Sequence, residues 1–493
     1  MSTQAARVSG EVSAARFVGN DRVLFGIIFG VLAFWLFAQT TLNISPVMAE
    51  DLGVETSVMN IAVSNTALFS GIFIVVLGSL ADRFGRVKVV QAGFVLSIAG
   101  SVLVGAAPRG GLATTFLMLG RVLQGLSGAC IMSASLALLK AYWEGPARQR
   151  AISLWSMGSW GGSGFAALLG GLMAENVGWR WIFFAGAALS LLGMLMVAGT
   201  PESRAESKGA YKFDTAGVLT FMVMMVALQV FATQGGAFGW GSPATLGLLA
   251  ASVVFAVLFV RAESGNPHAF VDFALFRNMT YTGATISNFL LNATAGILIV
   301  AMLLVQAGGG MTAQQAGFLT IGYAVAIVAF IRVGEKLLQR FGPRRPMIWG
   351  SLIVGAAIAC LMFTNLRLDT YKVLAVVGFT LFGLGLAFYA TPSTDAALSA
   401  LPDDKAGSGA GLYKMASSLG ASFGVAVSAT LFTALSGSGR SAGWTEGVIS
   451  YLGRQDNVAI REAALVALAI NLLMVVAAIV SIMVTIPARP RDA

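Results

Sequence analysis

The sequence predicts an all-α polytopic membrane protein, and three observations carry that prediction. Of 493 residues, 57% are hydrophobic and 11% charged, against about 25% charged in a soluble domain. The mean hydropathy is +0.81. Apolar runs of about 20 residues, each long enough to cross a bilayer as a helix, follow one another along the chain. With 31 Lys and Arg and 22 Asp and Glu, the chain cannot solvate the surface of a soluble fold this large. Soluble enzyme, nucleic-acid binder and secreted scaffold are excluded. Two cysteines exclude a disulfide framework or a cysteine-rich metal site. The one histidine, His268, excludes a multi-histidine metal centre. No cofactor is expected.

The apolar runs lie near 23–46, 58–80, 89–107, 113–139, 150–173, 179–199, 215–234, 243–261, 280–305, 316–334, 346–364, 372–398, 406–435 and 463–486. That makes fourteen, and an even number puts both termini on one side. The net charge of +9 is spread in short basic clusters between these runs, as in cytoplasmic loops, and not gathered on a face that would hold nucleic acid. With the N-terminus cytoplasmic, loops and tails on that side hold 22 Lys and Arg. The opposite side holds 7, and Arg121 and Lys414 fall inside helices. This bias predicts cytoplasmic termini. No signal peptide is expected, because the first apolar run is long enough to remain as a helix. The external stretch 436–462 reads as a surface connection.

The stretch from Gly78 to Lys88, which contains Asp82-Arg83-Phe84-Gly85-Arg86, follows the second run. Gln339-Arg340-Phe341-Gly342-Pro343-Arg344-Arg345 follows the tenth, so Arg-Phe-Gly recurs 257 residues on, with Gln339 where the first copy has Asp82. If the seventh and eighth runs are an insertion, both copies follow the second helix of a six-helix unit. The predicted plan is a tail at 1–22, a six-helix lobe at 23–200, two extra helices within 201–279, a second six-helix lobe at 280–487 and a tail at 488–493. Repeated halves around a midplane cavity are a transporter architecture. Basic loops alone could simply hold anionic lipid. That leaves Gly85, Gly342 and Asp82 unexplained, whereas a glycine after Arg-Phe permits a turn with positive φ.

These residues resemble a known family. The 78–88 stretch is similar to the signature loop of the major facilitator superfamily. Arg121-x-x-Gln124-Gly125 resembles its second motif, and Gly178-Trp179-Arg180-Trp181-Ile182-Phe183 resembles a mark of its fourteen-helix drug:proton antiporter branch. Further segments look like the quinolone-resistance transporters of that branch: 35–39, 158–164, 332–339, 389–395 and 413–417. The resemblance implies a multidrug exporter of quinolones and other amphipathic compounds, coupled to inward proton flow. It also implies a monomer in the cytoplasmic (inner) membrane of a bacterium, with drugs, protons and lipids as partners. Its loop after the second helix implies a conformational latch of Gly78, Asp82, Arg83, Gly85 and Arg86, with Arg340 and Gly342 in the second copy. One position departs. The branch carries a first-helix aspartate linked to proton coupling, but here Gln39-Thr40-Thr41-Leu42-Asn43 has no acid.

The charges inside the apolar runs are few. Each costs about 2.5–3.5 kcal/mol on insertion scales and should face a cavity or a partner. Asp395 and Lys414 stand at equal depth on either side of the turn near 404, so a pair is predicted. It serves either to fix helix register or to couple protons, and Pro392 would loosen the helix beside it. Glu335, beside Arg332 and Lys336, reads as a solvated interfacial group and as the next coupling candidate. Asp82 reads as a helix cap or as a partner of a nearby arginine. Arg121 either serves a proton relay, as the resemblance implies, or bonds carbonyls and Gln124. His268 reads as a surface residue beside Pro267.

Gly158, Gly162, Ala166 and Gly170 recur every four residues and predict a close helix contact. Gln39 with Asn43, and Asn288 with Asn292, share helical faces and point at the central cavity or across a helix interface. Trp35, Phe69, Trp155, Tyr389 and Tyr413 offer aromatic lining, and 20 Met suit varied ligands. Ordinary packing accounts for any of these equally well. No Gly-x-x-x-x-Gly-Lys-Ser/Thr motif is present, so ATP drive is not expected. Two other readings stay open. One is a proton-independent facilitator or dedicated exporter of an endogenous amphiphile, prompted by Gln39. The other is a receptor or scaffold, disfavoured by the lack of an appended soluble domain.

Overall fold

The computed structural model describes residues 17–205, 214–264, 266, 269, 271–436 and 449–488. His268 lies outside them, and the side chains of Gln39, Asn43 and Ala166 are also outside the description. The first bundle contains α1 (Asp21–Leu52), α2 (Thr56–Phe84), α3 (Arg86–Gly105), α4 (Ala113–Tyr142), α5 (Gly145–Ser156), α6 (Gly162–Asn176) and α7 (Arg180–Val197). A π-helical turn, Met157–Gly161, joins α5 to α6. Then come α8 (Thr215–Phe238) and α9 (Pro243–Glu263). The second bundle contains α10 (Met279–Ala293), α11 (Gly296–Leu303), α12 (Ala313–Phe318), α13 (Ile321–Phe341), α14 (Arg344–Leu361), α15 (Leu368–Ser399), α16 (Ala406–Ser436) and α17 (Val458–Thr485). Among the described residues, eleven helices are long and apolar enough to cross a membrane.

Local chemistry sets the ends. Asn20, Asp214, Ser242, Asn278 and Thr312 accept backbone N–H bonds at the starts of α1, α8, α9, α10 and α12, as short polar side chains do at helix N-termini. Gly85 separates α2 from α3 with φ 123°, and Gly342 separates α13 from α14 with φ 72°. Both conformations favour glycine, so each Arg-Phe-Gly is a helix break. Pro392 does not break α15, which runs unbroken from Leu368 to Ser399.

Within the first bundle α2 and α3 pack on α4, and α1 packs on α6 and α7. Within the second, α15 packs on α13 and α14, while α16 packs on α10 and α17. Between the bundles α2 meets α16, and α5 with the π turn meets α13. Counting α10–α11 as the first helix of the second bundle and α12–α13 as its second, α16 is its fifth. The second helix of each bundle therefore meets the fifth of the other, as a two-fold repeat requires. The α8–α9 pair packs on itself and touches α2 and α16 through α8. The glycine ridge of the fifth run lies on α1. A Cβ on Gly158 would meet Ile28, one on Gly162 would meet Leu32, and one on Gly170 would meet Thr40. The opposite face crosses to the second bundle, where Gly161 abuts Val328 and Gly164 abuts Ala324.

Candidate functional site

Among the described residues, a set of bonds that join the two bundles lies at the end bearing the basic loops. Asp82, buried in the last turn of α2, accepts from the backbone N–H of Gly407 at 2.7 and 2.8 Å and of Ser408 at 2.9 Å. Those amides open α16, where backbone donors lack helical partners and the dipole favours an anion. Asp82 is therefore the cap of a helix in the opposite bundle. It also accepts from Arg86 at 2.8 and 3.0 Å, so both expected roles are realised at once. Arg86 reaches on to the Asp403 carbonyl at 2.6 Å. This approach needs bare backbone: a Cβ on Gly78 would lie 2.4 Å from the Gly407 carbonyl oxygen, and one on Gly407 would lie 2.3 Å from that of Gly78. Gly85 is also held close, because Glu202 reaches over it to accept from the Val87 and Lys88 amides at the start of α3. Arg83 is half-buried at the end of α2.

Three further contacts complete this closure. Lys140 Nζ donates to the Leu401 carbonyl at 2.6 Å and pairs with Asp403 at 3.3 Å. Arg148 pairs with Asp395 at 3.2 Å and donates to Ser399 Oγ at 2.6 Å. Gln149 donates to Asp395 at 3.4 Å. Sequence reasoning counted Lys140 and Arg148 only as loop charges. Their partners lie about 250 residues away with no local pattern to announce them, and the accepting or donating groups of Leu401, Gly407 and Ser408 are backbone.

The predicted Asp395–Lys414 pair does not form. Asp395 lies four residues from the end of α15 and Lys414 eight residues into α16, and α15 packs chiefly on α13 and α14 while α16 turns to α2 and α10. Asp395 thus meets Arg148 of the first bundle. Lys414 Nζ lies over the Trp155 ring, 5.1 Å from its centroid. Glu335 is not solvated: it is buried on α13, pairs with Arg332 and accepts from Gln339 at 3.2 Å, while Lys336 one residue on is exposed. In the second copy Arg340 is exposed over Phe341, at 5.2 Å, and Arg344 donates to the Met483 carbonyl within its own bundle. Among the described residues, no hydrogen bond or ion pair links 339–345 to the first bundle.

Arg121 is fully buried and donates to the Ala62 carbonyl at 3.1 Å, Gln124 Oε1 at 2.9 Å and Thr41 Oγ1 at 3.2 Å. These are the carbonyl and glutamine bonds open to it from the sequence. Arg461 does not sit in an external loop. It lies in α17 and donates to the Thr364, Leu366 and Leu452 carbonyls. At that end Asp51 takes Arg109, Arg180 and the Trp179 indole. The Trp-Arg-Trp-Ile-Phe segment thereby ties α7 to α1.

The polar and aromatic lining residues are engaged with one another. Asn288 on α10 donates to the Tyr413 carbonyl at 3.0 Å and to Ser417 at 2.6 Å on α16, and Asn292 donates back to Asn288. Tyr389 and Tyr413 share Ser393 through their hydroxyls at 3.0 and 2.9 Å, and Tyr389 also meets Ser287 at 2.7 Å. Trp35 donates to Ser159 at 3.2 Å, and Trp155 to Ser135 at 2.9 Å. Phe69 is half-buried and stacks on Phe73. Ser287, Ser393 and Ser417 were missed, since small hydroxyls in apolar runs carry no distinguishing period. An apolar crevice of about 570 Å³, lined by Met362, Leu435, Leu465, Val466, Ala469 and Ile470, lies on the flank of the second bundle. It offers no charged group to orient a ligand.

A family model described as Major Facilitator Superfamily matches residues 23–280 and 284–492. Proteins named Quinolone resistance protein NorB, from Staphylococcus aureus strains MRSA252 and MSSA476, are 45% identical over 426 residues, which is 86% of this chain and 91% of theirs. Among solved structures, the human organic anion transporter MFSD10 superposes with a TM-score of 0.60 at 13% identity, over 94% of this chain and 98% of its own. The proton:xylose symporter XylE superposes at 0.61 with 16% identity, over 94% of each chain. At those identities the two structures speak to the fold alone.

Proposed function

Because the chain belongs to the Major Facilitator Superfamily, a family of transporters and not enzymes, we propose that it is a secondary exporter of amphipathic drugs, quinolones among them, driven by inward proton flow. The reading includes fourteen membrane helices arranged 6 + 2 + 6, with lobes at 23–200 and 280–487. The basic end faces the cytoplasm of a bacterium, and the protein works as a monomer in the inner membrane. The similarity to proteins named for quinolone resistance supports the substrate class.

One observation carries the mechanism: among the described residues, the hydrogen bonds and ion pairs that shut the basic end cross between the bundles, so they can part together in a rocking step. Asp395 is the proposed coupling carboxylate, now with Arg148 as its partner. Ionised, it attracts the guanidinium and holds that end shut. A proton arriving from the outside removes the charge, weakens the pair and lets the end open. The proton then leaves to the cytoplasm, drug binds in the open cleft, and re-formation of the pair closes the cleft behind it. Arg121 is assigned to rigidity of the first lobe, because its donors face carbonyls and Gln124. Drug-dependent proton flux in proteoliposomes tests the cycle. Asp395→Asn should abolish flux while downhill drug equilibration continues, and Arg148→Gln should leak drug without a gradient. Retained flux in Asp395→Asn moves the coupling role to Glu335. Gln39 favours a second reading, a proton-independent facilitator, and export that persists after collapse of the pH gradient would select it.

A further inference from the structure

Lys414 has no place in that cycle. It stands seven residues into α16 from Gly407, about 10 Å along the helix at 1.5 Å per residue, and is 9% exposed. Among the described residues its Nζ has neither a carboxylate within ion-pair range nor a hydrogen-bond acceptor. Its one close partner is the ring face of Trp155, on α5 of the other bundle. A buried charge without a counter-ion is strongly unfavourable, and a cation–π contact offsets only part of that cost. Packing does not call for lysine here, since methionine would fill the same space without the charge. The buried carboxylates between the bundles are already engaged: Asp82 holds Arg86 and the α16 amides, and Asp395 holds Arg148. What the interior contact between the bundles offers a ligand is therefore a positive charge beside an indole.

We propose that Lys414 and Trp155 form an anion subsite of the transport path, which takes the carboxylate of a flat aromatic acid or zwitterion. An ammonium has three donors and makes its strongest bonds to ionised acceptors, so the carboxylate supplies the missing counter-ion. The indole face receives the aromatic body of the same ligand. A quinolone, an aromatic bicycle bearing a carboxylate, has this form. The subsite deepens the exporter reading and rests on it.

The test compares a fluoroquinolone with its ethyl ester, which keeps the ring and the amine but removes the anion. Equilibrium dialysis against the full-length protein in lipid nanodiscs gives the ratio of the two affinities. The acid should bind about tenfold more tightly than the ester. Lys414→Met should bring the ratio to within about twofold, and Lys414→Arg should keep most of it. Lys414→Gln gives the same readout if the Met variant does not fold, and ester binding reports folding within each sample. A wild-type ratio near one, no binding of either compound, or a ratio that survives in Lys414→Met overturns the subsite. Gradient-driven efflux of a carboxylate-free dye by the wild type is measured alongside. Efflux with a ratio near one removes the subsite alone, whereas absence of efflux of dye and quinolone alike removes the exporter reading itself.

Discussion

The two Arg-Phe-Gly loops share a backbone and differ in reach. Gly85 and Gly342 each break a helix with positive φ; α3 starts at the next residue after Gly85, and α14 after Pro343. In the first loop Asp82 extends across the bundle boundary to cap α16, and Arg86 follows it to the Asp403 carbonyl. In the second, Gln339 turns back to Glu335, Arg340 covers Phe341 and Arg344 stays within its own bundle. The difference is one acid and what stands opposite it. The first loop faces free amides at a helix start, next to a glycine that admits close approach. A glycine break thus makes a turn, and a charged acceptor facing unpaired donors is what joins it to the other bundle.

The largest effect is expected at that acid. Asp82→Asn replaces two acceptor oxygens by one oxygen and an NH2 group that would confront the Gly407 and Ser408 donors. Export rates in everted vesicles should fall about tenfold or more, with membrane insertion unchanged. Wild-type rates would remove the latch. Gly407→Val comes next, because any Cβ there overlaps the Gly78 carbonyl oxygen. In a background lacking Cys130 and Cys360, a cysteine placed at Ser408 should react with maleimide several-fold faster in this variant, as the basic end is wedged apart. Equal labelling would mean that the glycine contact does not hold that end closed.

The fifth run allows a similar contrast. Gly162→Leu presses on Leu32 and Trp35 inside the first bundle, so it should lower thermal stability, by about 1–3 kcal/mol for overpacking. Gly164→Leu presses on Ala324 across the boundary and should cost transport with little loss of melting temperature. Identical profiles for the two would show that one face does not move against the other. The smallest effect belongs to Gln339→Asp. It restores the acid to the second loop but finds Glu335 beside it and no described donors opposite. Export should stay within about twofold of wild type, and a collapse would reveal a second latch.

Much of the fold was legible because the bilayer leaves few options. Apolar length marks helices, and the repeat of Arg-Phe-Gly marks the two halves. The site was legible in part. Asp82 as a cap, Arg121 with Gln124 and the glycine ridge as a close contact could be read from residue type and spacing. The identity of partners could not. Asp395 and Lys414 looked paired because depth can be counted along a chain, whereas the azimuth of each helix is set by its neighbours. Glu335 looked solvated because it sits among charges, and its burial depends on how α13 is turned against α15.

The sequence by itself determined the membrane class, the helical runs, the repeat, the absence of a first-helix acid at Gln39 and the residues that break helices, since these follow from local composition and backbone sterics. Only the tertiary structure decided that Asp82 serves α16, that Arg148 takes Asp395, and that Lys414 is left with an indole. Those outcomes join residues about 250 positions or more apart, and no local propensity encodes which faces of the two bundles will meet.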